Sequence, residues 1–78
     1  MQDLIEFIAR SLVDDPTQVH VNPQRRGSNV EVRLSVAKED MGRVIGRGGR
    51  VANAMRVLLR VSAAREGQRA TLNIVEPR

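Results

Sequence analysis

Val44-Ile45-Gly46-Arg47-Gly48-Gly49-Arg50-Val51 is the stretch on which the reading of this chain turns. Two helical patterns meet across it. Upstream, Asp40 is placed to cap a very short helix through Met41, Gly42, Arg43, Val44 and Ile45. Downstream, a long helix is expected from about Arg50 to Arg65, with Val51, Met55, Leu58 and Leu59 as its inner stripe and Gly67 as its stop. Between them the glycines permit positive φ and let a ligand approach the main chain closely. The long helix starts immediately afterwards, so its free N–H groups and positive dipole end point toward the turn. Arg47 and Arg50 flank the spot and Arg43 lies one turn upstream. Together these meet the physical requirements for holding a phosphate backbone. The competing reading is a helical corner whose glycines only permit close packing. Two other glycine motifs fail. A dinucleotide fingerprint needs glycine where Val51 stands and a preceding strand, and a P-loop needs a Lys-Ser/Thr pair that is absent.

Working outward, Val30, Val32, Leu34 and Val36 alternate with Glu31, Arg33 and Ser35, the clearest strand in the chain. Before it, Thr17, Val19 and Val21 alternate with Gln18, His20 and Asn22, a short half-buried strand with His20 on its polar side. Asn22-Pro23 through Gly27-Ser28 is turn chemistry carrying Arg25 and Arg26, so the two strands should pair as an antiparallel hairpin. Residues 3–13 read as a helix, with Leu4, Ile5, Ile8 and Leu12 at helical spacing, Phe7 beside them and Asp14-Asp15-Pro16 as the stop. Ala70, Leu72 and Ile74 alternate with Thr71 and Asn73 in a last strand ahead of Pro77. The order is α-β-β-α-α-β. A helical pair between the second and third strands lets those two lie parallel. The expected fold class is therefore α+β, one three-stranded mixed sheet with its helices packed on one face.

Val44-Ile45-Gly46-Arg47-Gly48-Gly49 resembles the Val-Ile-Gly-x-x-Gly signature of the KH domain, whose Gly-x-x-Gly loop clamps the backbone of about four nucleotides. The element order is similar to the type II KH topology, and the likeness covers essentially the whole chain, that of a small bacterial single-KH RNA-binding protein. It implies one domain over 1–78, with the KH core over about 28–76. It also implies that Ile45 and Val51 line a wall of the base groove, that Gly46 through Gly49 hold phosphates, and that Arg47, Arg50 and Arg43 add charge. Gly48 at the second variable position is less usual and leaves one basic side chain inside the loop. The likeness further implies RNA-chaperone or post-transcriptional work linked to cell shape and the cell wall. Its implied associations are a homodimer or a heteromer with a larger KH-containing RNA-binding protein.

Composition narrows the field. With 78 residues the core is thin, since such a chain buries only roughly 60–65% of its unfolded surface. Thirteen basic residues, twelve of them arginine, face nine acidic ones, for a net charge of +4. Arginine binds phosphate bidentately, which puts polyanions among the expected partners. Phe7 is the only aromatic residue, which argues against modules that stack bases on aromatic platforms. There is no cysteine and one histidine, so thiolate chemistry and His-rich metal clusters are excluded, and no cofactor is expected. No uninterrupted apolar run exceeds three residues (Val57-Leu58-Leu59 is one), too short for a membrane span, and the cytoplasm is the default location. No acid–base pair or activated nucleophile stands out, so no enzyme is expected. On the long helix the apolar positions sweep roughly 220°, wider than a sheet needs to cover. Ala54, Val57 and Val61 form the surplus edge, Val61 lying about 80° from the stripe centre near Val51. Either the first helix covers this edge or it is an interface, most simply that of a two-fold dimer. Two rivals remain open: a protein-interaction module with a structural glycine loop, and a duplex binder using scattered arginines.

Overall fold

A computed structural model describes residues 1–76; Pro77 lies outside the described residues. The elements are α1 (Gln2–Leu12), β1 (His20–Arg26), β2 (Asn29–Ser35), α2 (Met41–Ile45), α3 (Arg50–Arg65) and β3 (Arg69–Ile74). The sheet order is β1-β2-β3, with β1 antiparallel and β3 parallel to the central strand. This is the α+β order and mixed sheet expected from the sequence.

The alternation of β2 builds the core. Val30, Val32 and Leu34, followed by Val36, are buried on one face with Ile5, Ala9, Val44, Met55, Leu59 and Leu72. The residues between them, Glu31, Arg33 and Ser35, belong to the other face, which no helix among the described residues covers. The parallel return from β2 to β3 is made by α2 and α3, and α3 packs on β3 while α1 packs on β1. Gly67 closes α3 at φ 70°, and the Gln68 N–H donates to Ala63 O at 2.9 Å, leading straight into β3.

Three sequence expectations are corrected. The first strand runs from His20 to Arg26 rather than 17–22, and Pro23 sits inside it opposite Val32. Thr17 belongs instead to a single 3-10 turn, Pro16–Gln18, whose N-cap Asp15 accepts the Thr17 N–H. Proline is tolerated in β1 because β1 is an edge strand, whose outward N–H positions have no partner to lose. On α1 the buried residues are Ile5 and Ala9; Leu12 is exposed and Phe7 is 71% exposed. On α3 the buried stripe is Ala52, Met55, Leu59 and Ala63, whereas Leu58 is 46% exposed and Val51 only half-buried. Two alanines therefore carry contacts assigned to larger residues, and they let α3 lie close on the sheet.

Shifting the stripe also moves Val61. Measured from Leu59 at 100° per residue, Val57 and Val61 both lie about 160° away, and Ala54 and Ala64 about 140°. The surplus edge is thus the outward pole of the helix. Ala54, Val57 and Val61 are all exposed, so α1 does not cover them.

Candidate nucleic-acid interface

Residues 45–51 come together at one end of α3 because the chain reverses there on main-chain contacts alone. The Gly46 N–H closes α2 on Gly42 O at 2.9 Å, and the Gly49 N–H returns to Gly46 O at 3.1 Å. Gly46 (φ 77°, ψ 167°) occupies a region reserved for glycine, and Gly48 and Gly49 are left-handed at φ 64° and 79°. Gly46 and Gly48 differ in what they meet. A Cβ on Gly46 would stand 2.6 Å from Val51 Cγ2 and 2.8 Å from the Val51 nitrogen, so this glycine is where α2 and the first turn of α3 touch. A Cβ on Gly48 would meet nothing within 4 Å, so this glycine is the open crest of the turn.

Around the crest the side chains are few. Arg47 and Arg50 are exposed, and Ile45 is 38% exposed at the end of α2, beside the turn. Val51 is half-buried and directed at Gly46. No side chain caps the first turn of α3 and no acidic residue lies in it. Its main-chain donors and the helix dipole therefore face the glycine turn with only arginine charge nearby. This arrangement can hold an anionic backbone against bare main chain.

Arg43 is differently placed. Its guanidinium pairs with Asp14 at 3.1 Å and with Asp40 at 3.5 Å. Asp40 is the one buried charged residue among those described, and it makes no side-chain cap to α2. Its two carboxylate oxygens instead accept the main-chain N–H groups of Asp14 (3.2 Å) and Asp15 (3.1 Å). Asp40 thus occupies the N-cap position of α2, as expected, but its carboxylate serves as a clamp between the chain after α1 and the start of α2 rather than as a cap. Arg43 helps fix that clamp.

The model for the KhpA/KhpB KH domain matches residues 2–74. The chain belongs to this family. It is 41% identical over 75 residues to the RNA-binding protein KhpA of Clostridium perfringens, covering 96% of this chain and 100% of that one. The Listeria monocytogenes KhpA is 41% identical over 76 residues, 97% and 100% of the two chains. That of Chlamydia trachomatis is 36% identical over 78 residues, with full coverage of both.

In this KhpA/KhpB-type domain one further feature adjoins the turn. Asn53, Arg56 and Arg60 form a strip on the flank of α3 opposite Val51 by helical angle. Val51 faces α2, so this flank is turned away from α2, toward the free edge of β3. Arg56 donates to Asn53 Oδ1 at 3.2 Å, and the Asn53 side-chain nitrogen reaches within 3.8 Å of the Gly49 Cβ position. The i, i+3, i+7 spacing of these polar residues is the signal of the strip that the sequence carries.

Proposed function

We propose that this protein is a non-catalytic single-stranded RNA-binding protein that clamps the sugar–phosphate backbone on Gly46–Gly49. The observation that carries this is an open crest at Gly48, backed by the uncapped start of α3 and flanked by Arg47 and Arg50. Main-chain N–H groups hold the phosphates, Arg47 and Arg50 supply charge, and Ile45 offers the adjacent apolar surface for bases. Membership in the family and the RNA-binding names of its relatives support the ligand class. By the family resemblance, the work is that of an RNA chaperone or post-transcriptional regulator in the cytoplasm, connected with cell shape. Among the described residues no helix is long and apolar enough to cross a membrane.

Association is part of the proposal. The outward pole of α3 carries Ala54, Val57 and Val61 at the spacing of a helix–helix seam, with Leu58 beside them. Two copies can pair antiparallel along it about a two-fold axis, and the same surface suits a larger KH-containing partner.

The test replaces Arg47 and Gly48 with aspartate. Both are exposed, and aspartate tolerates the left-handed conformation of Gly48 better than most residues. Single-stranded RNA affinity should fall at least about tenfold while the melting temperature drops by no more than about 8 °C. With two to four phosphates neutralised, the wild-type log–log salt slope should be about −1.4 to −2.8. Undiminished binding by a folded double variant would refute the clamp. A much steeper slope without single-strand preference would favour a domain-wide arginine coating.

A further inference from the structure

The sheet face turned away from the helices carries a second concentration of phosphate-binding groups. Strand register aligns Arg26 of β1, Asn29 of β2 and Arg69 of β3 in one row. Residues directly opposite one another share a face, and the buried alternation of β2 puts Asn29 on the open one. Arg26 and Arg69 therefore stand on that face, about 10 Å apart across two strand spacings. They border a concavity of about 370 Å³ that is also lined by Gln24, Glu31, Arg33 and Thr71. Its single carboxylate, Glu31, is held by Arg33 Nε at 2.8 Å. Arg26 and Arg69 have no acidic partner among the described residues, so the row presents two uncompensated guanidinium groups with the Asn29 amide between them and the Thr71 hydroxyl in the adjacent row.

This row continues a track from the glycine turn. Arg50, Arg56 and Arg60 rise along α3 by about 15 Å, with Arg56 and Arg60 on the flank over the free β3 edge. Past the end of α3 the chain enters β3 at Arg69, whose N–H is bonded to Ser28 O at 2.9 Å in the hairpin turn. Positive charge thus runs from the turn, past the β3 edge, to the far end of the open face. Arg26 and Arg69 carry like charges about 10 Å apart on one face of the sheet, with Asn29 of β2 between them, and an anionic occupant offsets their mutual repulsion.

We propose that an RNA strand held at Gly46–Gly49 continues over the β3 edge and places further phosphates on Arg26 and Arg69, giving a footprint longer than the loop alone provides. This rests on the RNA-binding reading above. The test compares wild type, R26Q/R69Q and R47D/G48D against unstructured oligoribonucleotides of about four and about twelve nucleotides. R26Q/R69Q should bind the short strand like wild type and the long strand at least about fivefold more weakly. Its long-strand salt slope should be shallower by about 1.4, the contribution of two phosphates on a single strand. Long-strand affinity equal to wild type overturns the proposal, as does an equal loss on both lengths. If wild type binds neither strand, the RNA reading itself falls. If the loop variant loses both strands while R26Q/R69Q changes nothing, only the longer footprint falls.

Discussion

Gly46→Ala and Gly48→Ala make the same chemical change two residues apart, and the geometry of the turn assigns them different costs. At Gly46 the backbone (φ 77°, ψ 167°) lies where only glycine is at ease, a strain of about 1–3 kcal/mol for alanine. The added Cβ would also stand 2.6 Å from Val51 Cγ2 and 2.8 Å from the Val51 nitrogen. The nitrogen belongs to the first turn of α3 and cannot rotate aside, so overpacking adds about 1–3 kcal/mol. A total of about 2–6 kcal/mol is a large share of the stability of so small a domain. At about 4–8 °C per kcal/mol it lowers the melting temperature by at least about 8 °C. At Gly48 the left-handed φ of 64° costs alanine about 1 kcal/mol, with no neighbour within 4 Å, for a drop of about 4–8 °C. Thermal unfolding followed by circular dichroism measures both. A G46A/V51A double variant should recover part of the loss, because it removes Cγ2 but leaves the nitrogen and the strain. Equal destabilisation by the two alanines, or a G46A protein melting within a few degrees of wild type, refutes this account of the turn.

Leu59→Ala should cost about 2–5 kcal/mol in chemical denaturation and Leu58→Ala well under half of that, since only Leu59 is fully buried. Asp40→Ala, which strips the acceptor from the Asp14 and Asp15 N–H groups, should cost about 3 kcal/mol by the same measurement, with Asp40→Asn intermediate. Val61→Asp places its charge on the outward pole of α3, so the fold should lose less than about 0.5 kcal/mol while sedimentation equilibrium shows a monomer. An unfolded V61D protein, or a wild type that stays monomeric at high micromolar concentration, would contradict the homodimer.

The fold was legible because β2 alternates without interruption and because the glycine turn separates two helical patterns. What escaped the sequence depended on tertiary position. Pro23 reads as a turn residue until β1 is known to be an edge strand. Asp40 reads as a local cap because nothing near it announces acceptor-seeking N–H groups at Asp14 and Asp15. The apolar stripe of α3 was misplaced by about one position because Val51 and Leu58 outweigh Ala52 and Ala63 in any hydropathy pattern. A helix lying close on a sheet needs small residues at the contact, and the sequence alone does not say how close the helix will lie. That displacement also turned Val61 from an edge residue into one at the pole.

The same details explain how a thin domain can fix a loop that contains almost no side chains. The burial under α3 is modest, half of its buried stripe being alanine. Its orientation against α2 is therefore set at Gly46, where main chain meets main chain with Val51 wedged alongside. The start of α2 is set independently by Asp40, which binds the segment after α1 and is braced by Arg43. Both constraints act on the flanks of the turn and neither uses its crest. Arg47 and Gly48 are consequently free to meet a ligand, and changes there leave the fold nearly intact, whereas changes at Gly46, Val51 or Asp40 disturb the fold first and the ligand second. Loss of RNA binding thus separates into two kinds: charge reversal at the crest without unfolding, and loss of turn geometry with it. A variant of Asp40 that kept full stability yet lost RNA affinity would break this division, because it would mean the carboxylate acts on the ligand and not on the frame that holds the turn.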